Sequence, residues 1–203
     1  MLKRSFDILS SGLGLLLISP ILLIVSLAIT LSSKGGVFYK QSRVGLNGVH
    51  FNILKFRTMF TGSDKKGLLT VGDRDPRVTP IGYYLRKYKL DELPQLINVL
   101  IGDMSLVGPR PEVSKYVNLY SKEDRVVLSI KPGITDYASI YFRNENEILN
   151  SSSNPEKKYI EEVMPLKLEL NKKYIEEKGL LTDLKIIFMT LKSIFHKNEN
   201  SVT

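Results

Sequence analysis

The apolar and polar positions divide the chain into a long uncharged beginning and a mixed remainder. Residues 8–33, ILSSGLGLLLISPILLIVSLAITLSS, contain no charged side chain. A membrane helix needs about 20 consecutive apolar residues, so a run of this length is typical of a segment that enters lipid. It is too long for the apolar core of a cleaved signal peptide and lacks an obvious small-residue cleavage site. The pattern therefore predicts an N-terminal membrane helix.

Pro20 lies near the middle of this run. Proline lacks an N–H and collides with the preceding turn, so it favours a kink or break, and the hydroxyl of Ser19 is available for a freed carbonyl. Each half is then about 18 to 21 Å long, less than the roughly 30 Å hydrocarbon core. Basic residues flank both ends, with Lys3 and Arg4 before the run and Lys34 after it, which suits two cytoplasmic ends. We expect a re-entrant helix broken at Ser19–Pro20, and a spanning helix stays open because prolines also occur in those.

The remainder has the pattern of a small, helix-rich α+β domain, α/β in the broad sense. Two β-rich runs surround Asn47-Gly48, a dipeptide that predicts a short hairpin. Apolar or aromatic residues at 81, 84, 85 and 88 have the spacing of one helical face. Apolar residues at 93, 96, 97 and 100 predict a second helix, with Pro94 in its first turn. The predicted organisation is an anchor of residues 1–36 and a cytoplasmic-face domain of residues 37–203.

The C-terminal part of that domain is predicted to form charged, amphipathic helices. In LLTDLKIIFMTLKSIFHK, one side of a helix would carry Leu184, Ile187 or Phe188, Leu191 and Phe195, with lysines available to the other. Such a helix either lies on the membrane surface or packs on the core of the domain.

Charge limits the kinds of partner. The 203 residues include 29 Lys+Arg and 21 Asp+Glu, a net charge of +8, which favours membrane phospholipid, phosphorylated substrates or nucleic acid. The chain has neither a zinc-ligand pattern nor an aromatic-basic RNA-binding motif, so we expect no nucleic acid. Without cysteine there is no disulfide framework, cysteine metal site or thiol nucleophile.

The candidate chemistry lies in residues 89–112, KLDELPQLINVLIGDMSLVGPRPE. Asp91 and Glu92 directly precede the second predicted helix, where acids are also favoured simply by the helix dipole and free N–H groups. Arg86 precedes them, however, and Arg110 follows the helix between two prolines. Cations, paired carboxylates and helix-terminal N–H groups suit a nucleoside diphosphate with Mg²⁺. One carboxylate could hold the metal or attack phosphorus while the other accepts a proton.

Six motifs carry a resemblance to a known family: KRSFD, SPILL, KFRTM, GDRDPRVTPIG, LDELPQLINVLIGDMSLVGPRPE and KPGIT. In this order they resemble the bacterial sugar transferases known as small monotopic phosphoglycosyl transferases, over residues 3–135. The resemblance implies a Mg²⁺-dependent enzyme on the cytoplasmic face of the bacterial inner membrane. Such an enzyme moves a phospho-sugar from a UDP-sugar to a polyprenol (undecaprenyl) phosphate and releases UMP, the initiating membrane step of bacterial glycan assembly. The sugar, the polyprenol length and the oligomeric state stay open.

The resemblance also implies roles for individual residues. Asp91 matches the nucleophile that forms a covalent phospho-sugar aspartate, and it is the expected metal ligand. Glu92 matches the partner that activates the polyprenol phosphate. The positions expected to bind the donor are Lys55, Arg86, Pro109, Arg110 and Pro111. The positions expected to serve the membrane are Lys3, Arg4, Ser19 and Pro20.

The segment after Gly133 departs from the family pattern. Many relatives follow KPGIT with a Gly-Trp-Ala-Gln-like run, whereas this chain continues DYASIYFRNENEI, which retains Ala138, Arg143 and Asn144. The departure leaves the identity of the sugar open more than the type of reaction.

Two other functions stay open. A membrane-bound UDP-sugar diphosphatase would give the phospho-sugar to water. A non-catalytic basic membrane adaptor would explain the anchor and the charge, but not the acid pair near GPRP. Asp73, Asp75 and Arg77 suit either phosphate or metal binding or a solvated turn, and His50 and His196 have no paired ligands in the sequence.

Overall fold

The computed structural model describes residues 2–63 and 75–195, so Asp73 and His196 lie outside the described residues. The fold is helix-rich α+β, as the sequence predicts. The helices are α1 Leu2–Ser32, α2 Pro80–Lys87, α3 Gln95–Ile101, α4 Ser114–Val117, α5 Tyr137–Tyr141, α6 Glu145–Asn150, α7 Pro155–Lys158, α8 Met164–Glu177 and α9 Leu180–Phe195. The strands are β1 Phe38–Val44, β2 His50–Phe56, β3 Ser105–Val107 and β4 Gly133–Thr135. Short 3₁₀ turns cover Leu46–Gly48, Leu90–Glu92 and Asp124–Ser129, and a π-helical turn, Tyr159–Val163, joins α7 to α8.

Among the helices of the described residues, α1 is the one long and apolar enough to cross a membrane. Its helical backbone continues through Ser19 and Pro20 without interruption. Pro20 has no N–H for the carbonyl of Leu16, and the hydroxyl of Ser19 donates to that oxygen at 2.8 Å. This is the satisfied carbonyl that the sequence predicts. A re-entrant course of α1 stays a prediction.

Both ends of α1 pack against the domain that follows it. Near its start, the carboxylate of Asp7 accepts from Ser105 Oγ at 2.9 Å, and farther along, the side chain of Leu96 in α3 lies against the backbone of Gly14. Near its end, Val25 and Ile29 form an apolar cluster with Phe56 of β2 and Leu85 of α2. The residues between these contacts are largely exposed, as expected for a surface that meets lipid.

Arg57 holds the end of α1, where it donates to Ile29 O at 3.5 Å, and the residues that follow the helix. Its buried guanidinium donates to the carbonyl of Ser33 at 2.8 Å, the hydroxyl of Ser33 at 2.7 Å and the carbonyl of Gly36 at 2.6 Å. The final carbonyls of a helix lack intrahelical partners, so a cation there satisfies them and interacts favourably with the helix dipole. The arginine of KFRTM therefore stabilises the exit from the anchor.

The predicted hairpin is confirmed. Strands β1 and β2 pair antiparallel from Phe38↔Phe56 to Val44↔His50. Asn47 and Gly48 have φ of 54° and 79°, the positive values that this dipeptide tolerates. Ile53 of β2 packs with Val99 of α3, which brings the hairpin onto the helix that follows the acid pair.

The helix predicted from residues 81, 84, 85 and 88 is confirmed as α2, and its apolar face is only partly buried. Leu85 is buried, but Tyr84 and Tyr88 are 56% and 57% exposed. The reason is Gly82, where a Cβ would lie 2.0 Å from the carbonyl oxygen of Thr58. This close approach centres the buried face on Ile81, Gly82 and Leu85 and turns the two tyrosines outward.

The C-terminal helix α9 packs on the core, one of the two arrangements that its sequence leaves open. Ile186 and Asp183 are buried, and Ile186 packs with Val107 and Tyr174. Phe188 and Leu191, two of the residues predicted along one side, are 68% and 51% exposed. The helix therefore packs on the core through one side and presents apolar residues on another.

Two glycines join β3 and β4 at close range. The strands are parallel, with Ser105↔Gly133 and Val107↔Thr135 in register. A Cβ on Gly133 would lie 2.1 Å from the amide nitrogen of Gly108. The amide of Gly108 donates to Thr135 O at 3.0 Å, and the amide of Gly133 donates to Pro109 O at 2.9 Å. The LVGPRPE and KPGIT motifs thus meet backbone to backbone.

Replacing Gly133 by Ala should therefore destabilise the protein by roughly 1–3 kcal/mol, the usual cost of overpacking a tight contact. Circular dichroism of thermal unfolding in detergent measures the loss. Gly36→Ala is the matched control, because its Cβ would meet nothing closer than 3.8 Å. Equal unfolding midpoints for the two variants would contradict this account.

Candidate active site

The acid pair lies in a tight turn between α2 and α3. Lys89 has φ 57° and ψ 21°, a left-handed conformation that follows the end of α2 and reverses the chain. Asp91 and Glu92 then form the end of the 3₁₀ turn Leu90–Glu92, and α3 begins at Gln95. The acids therefore precede α3, as predicted, but a 3₁₀ turn holds them.

Glu92 pairs with two cations from distant parts of the chain. Lys55 Nζ at the end of β2 donates to Glu92 Oε1 at 3.2 Å. Arg110 Nη1 donates to Glu92 Oε2 at 3.1 Å, and Arg110 Nη2 donates to Glu92 Oε1. This bidentate geometry is the strong form of an arginine–carboxylate pair. Glu92 is a fixed anion between two fixed cations.

The two neighbouring acids have opposite electrostatic environments. Burial by itself would raise the pKa of Glu92, but the charges of Arg110 and Lys55 hold this pKa well below its ordinary value. Burial and the adjacent charge of Glu92 raise the pKa of Asp91. Burial lowers the pKa of Lys55. The pair therefore consists of one strongly stabilised carboxylate and one more basic carboxylate, which suits two separate chemical roles.

The backbone around Arg110 is fixed from both sides. The amide of Arg110 donates to Asp136 Oδ2 at 3.1 Å, and Arg43 Nη1 donates to the carbonyl of Pro111 at 3.0 Å. Pro109 and Pro111 are buried, while the side chain of Arg110 is half-buried. Sequence reasoning missed Arg43 and Asp136, because neither is adjacent to the motif that it holds.

A cavity of about 1100 Å³ contains the site. Its walls include most of the predicted substrate and catalytic positions: Lys55, Arg86, Asp91, Glu92 and Arg110. Pro109 and Pro111 instead line a small neighbouring cleft with Arg110. Arg86 is half-buried, and its charge lowers the pKa of Asp91 against the effects of burial and Glu92. A cavity of this size, lined by several cations, can bind an anionic ligand as large as a nucleotide sugar.

The divergent segment forms another part of the wall. Ala138, Arg143 and Asn144 line the cavity together with residues of α8. Ser139 Oγ and Asn171 Oδ1 are buried and have no hydrogen-bond partner among the described residues. Nothing in the sequence marked Asn171, which lies in a helix of charged and apolar residues. Both residues line the cavity.

The predicted membrane positions lie away from this cavity. Lys3 and Arg4 donate hydrogen bonds to protein atoms of β3, α9 and α3, and their contact with lipid stays a prediction. Asp75 and Arg77 form an ion pair with each other, Arg77 Nη2 to Asp75 Oδ2 at 2.6 Å, as in a local turn.

Replacing Glu92 by Gln should lower the free energy of unfolding by roughly 3 kcal/mol near neutral pH, because Arg110 and Lys55 lose their shared anion. Since the folded state lowers the pKa of Glu92, this contribution is fully present above the unfolded value, near 4.5, and is lost as the pH falls through the folded value. Thermal unfolding of both proteins between about pH 3 and 8 measures the difference. Glu162→Gln, at an exposed acid, is the control. A difference that stays constant down to the lowest pH would contradict the ion pairing.

Comparison with known proteins identifies the family of the chain. The chain matches the bacterial sugar transferase family over residues 1–197. It is 40% identical over 195 residues to the UDP-glucose:undecaprenyl-phosphate glucose-1-phosphate transferase of Escherichia coli (strain K12), a match that covers 94% of this chain and 39% of that protein. It is 35% identical over 196 residues to the UDP-N-acetylgalactosamine-undecaprenyl-phosphate N-acetylgalactosaminephosphotransferase of Aeromonas hydrophila, covering 95% and 43%. The chain thus spans less than half the length of these two relatives.

A third relative is closer in size. The exopolysaccharide production protein ExoY of Rhizobium meliloti (strain 1021) is 34% identical over 209 residues, which cover 96% of this chain and 85% of that protein. The matched region includes the anchor, the acid pair and Arg110 in all three cases, since it takes in nearly the whole chain. The chain belongs to the bacterial sugar transferase family.

Proposed function

We propose that the protein transfers a phospho-sugar from a UDP-sugar to a polyprenol phosphate and releases UMP. The observation that carries the proposal is the position of Asp91, a carboxylate of raised pKa in a large cavity, beside the cluster of Glu92, Lys55 and Arg110. The names of two relatives, which describe transfer to undecaprenyl phosphate, support the same reaction. ExoY, named for exopolysaccharide production, supports a place in the synthesis of bacterial polysaccharide.

In the first step an oxygen of Asp91 attacks the phosphorus that carries the sugar. The bond between this phosphorus and the bridging oxygen breaks, and UMP leaves with the bonding electron pair. A carboxylate that attacks an anionic diphosphate faces charge repulsion, so nearby cations must neutralise the phosphate oxygens. Arg86 and Lys55 line the cavity with Asp91 and can serve this purpose. The product is a phospho-sugar aspartate.

In the second step a phosphate oxygen of the polyprenol phosphate attacks the same phosphorus. The bond to Asp91 breaks, and the carboxylate is restored as the polyprenyl diphosphate sugar forms. Dividing the transfer in this way lets a water-soluble donor and a lipid acceptor use one site in turn. Glu92, with a low pKa, is a weak proton acceptor, so we assign it first to holding Arg110 and Lys55 in place.

The donor set at Asp91 fits Mg²⁺ in one limited way. Within residues 2–63 and 75–195, no group of three or more Asp, Glu or His side chains could hold a metal by itself. Mg²⁺ is commonly bound by one or two carboxylates together with substrate phosphates, so Asp91 can supply the protein ligand. When bound, Mg²⁺ would neutralise charge on the diphosphate and on the departing UMP.

We also propose that α1 enters and leaves the membrane on the same, cytoplasmic side. The support is that both ends of α1 pack on one domain, with Asp7 hydrogen-bonded to Ser105 and Ile29 in a cluster with Phe56. A helix that crossed the hydrocarbon core would place its ends about 30 Å apart on opposite sides. In the bacterial inner membrane this arrangement would hold the cavity at headgroup level, where the acceptor phosphate lies.

Replacing Asp91 by Asn should abolish turnover, with a loss of roughly 10⁴-fold or more, because the amide cannot form the covalent intermediate. The assay measures UMP release in detergent with Mg²⁺, polyprenol phosphate and a panel of UDP-sugars. A second assay omits the acceptor and follows exchange of labelled UMP into the UDP-sugar, which requires a covalent intermediate. Glu162→Gln should match the wild-type protein in both.

The outcomes separate the alternatives. Asp91→Asn that keeps the exchange reaction would remove Asp91 as the nucleophile. UMP release that continues beyond one molecule per protein without added polyprenol phosphate would indicate the diphosphatase. Absence of UMP release by folded wild-type protein with every donor would leave the adaptor.

The course of α1 can be tested with single cysteines, because the chain has none of its own. Leu2→Cys and Ser32→Cys lie at exposed positions at the two ends of α1, and Leu17→Cys lies between them. In inside-out membrane vesicles, an impermeant maleimide should label both ends, and Leu17→Cys only after detergent is added. Labelling of Ser32→Cys but not Leu2→Cys would instead show a spanning helix.

A further inference from the structure

The first two turns of α1 contain three ionic side chains that contact the elements around the acid pair and Arg110. These are Lys3, Arg4 and Asp7, from the motif KRSFD. An apolar membrane helix carries such groups at a cost unless they have partners. Each of the three has partners inside the domain: these lie in α3 and β3, and for Lys3 also in α8 and α9.

Asp7 binds β3. Its side chain is 3% exposed, and its carboxylate accepts from Ser105 Oγ at 2.9 Å and from the amide of Leu106 at 3.1 Å. The register of β3 with β4 uses Ser105 and Val107, so Leu106 presents its backbone to the other edge of the strand. Asp7 therefore takes the place of a neighbouring strand for this edge.

Lys3 binds the end of the same strand. Its ammonium group donates to Val107 O at 3.1 Å, to Asp183 Oδ2 at 2.5 Å and to Tyr174 OH at 3.1 Å. The hydroxyl of Tyr174 donates to Asp183 Oδ1 at 2.7 Å. Asp183 is 1% exposed, so its charge depends on these donors. Val107 is only two residues from Pro109, at which the loop that presents Arg110 begins.

Arg4 binds the end of α3. Its guanidinium donates to Val99 O at 2.6 Å and to Leu100 O at 2.8 Å, carbonyls in the last turn of the helix. A cation there satisfies free carbonyls and complements the helix dipole. The same helix begins just after Asp91 and Glu92. The anchor therefore fixes α3 at one end, while the acid pair lies at the other.

We propose that Lys3, Arg4 and Asp7 are positioning residues: they hold α3 and β3 in the arrangement that places Asp91 and Glu92 beside Arg110. They act through protein contacts rather than through phospholipid headgroups. The inference rests on the proposed function for its activity assay, but not for its structural readout. It makes the first turns of the membrane helix part of the framework of the active site.

Lys3→Met and Asp7→Leu should each lower kcat roughly 10- to 100-fold, because a small displacement of reacting groups has a large effect on rate. Both variants should bind vesicles of phosphatidylethanolamine and phosphatidylglycerol within about twofold of wild type, since the apolar part of α1 supplies the membrane affinity. Asp7→Asn is the conservative variant. Its amide can still accept from Leu106 N and pair with Ser105 Oγ, so it should retain kcat within about threefold.

Lys34→Met is the matched control, a basic residue at the other end of α1 whose side chain is exposed. It should keep the wild-type kcat. If Lys3→Met loses activity only by leaving the vesicles, and regains it at saturating anionic lipid, Lys3 acts on headgroups and the proposal is wrong. Wild-type kcat in Asp7→Leu would also overturn it.

Hydrogen–deuterium exchange separates this inference from the proposed reaction. The measured quantity is the deuterium exchange of peptides covering residues 105–111. It should rise in Lys3→Met and stay near the wild-type value in Asp7→Asn. This readout needs no substrate. If wild-type protein transfers no phospho-sugar but the exchange differs as expected, the reaction is wrong and the positioning role stands. Unchanged exchange in Lys3→Met contradicts the positioning role whatever the activity.

Discussion

Glu92 forms the interaction on which the rest of the site depends. Its carboxylate joins Lys55 and Arg110, which lie 37 and 18 residues away in the sequence. The one anion and two cations are stable in this half-buried place only together. Removing one of them leaves the charge of the others uncompensated. The hairpin, the turn before α3 and the loop after β3 therefore have to be correctly placed at the same time. Most of the fold serves to place these three segments together.

The local parts of this arrangement can be predicted from the sequence. Near neighbours in the sequence are enough to predict three of them: the membrane helix from the uncharged run, the hairpin from Asn47-Gly48, and the helix start from the acid pair before Pro94. Which face of a helix is buried is harder to predict. The spacing of Tyr84 and Tyr88 matches an apolar face, yet both are exposed. The buried face of α2 is set by Gly82, which touches the backbone of Thr58, and the helical period of the sequence does not reveal that contact.

The supports of the site could not be predicted, because they are contacts between distant segments. Arg43 reaches Pro111 from 68 residues away, and Asp136 reaches the amide of Arg110 from 26 residues away. Each is an ordinary charged residue in its own surroundings. The low pKa of Glu92, which depends on two cations from distant segments, is likewise not visible in the sequence around the acid pair. The pairing of β3 with β4 brings Asp136 beside the loop that presents Arg110.

The pairing of β3 with β4 limits which substitutions these strands can accept. Neither Gly108 nor Gly133 has room for a side chain, because a Cβ on either residue would overlap the opposite backbone. A change at one position cannot be accommodated by a change of side chain at the other, because neither has a side chain to give up. Each position must therefore stay glycine for the strands to keep this contact, whereas cavity-lining residues such as Ser139 and Asn171 lie outside the strands that lead to Arg110.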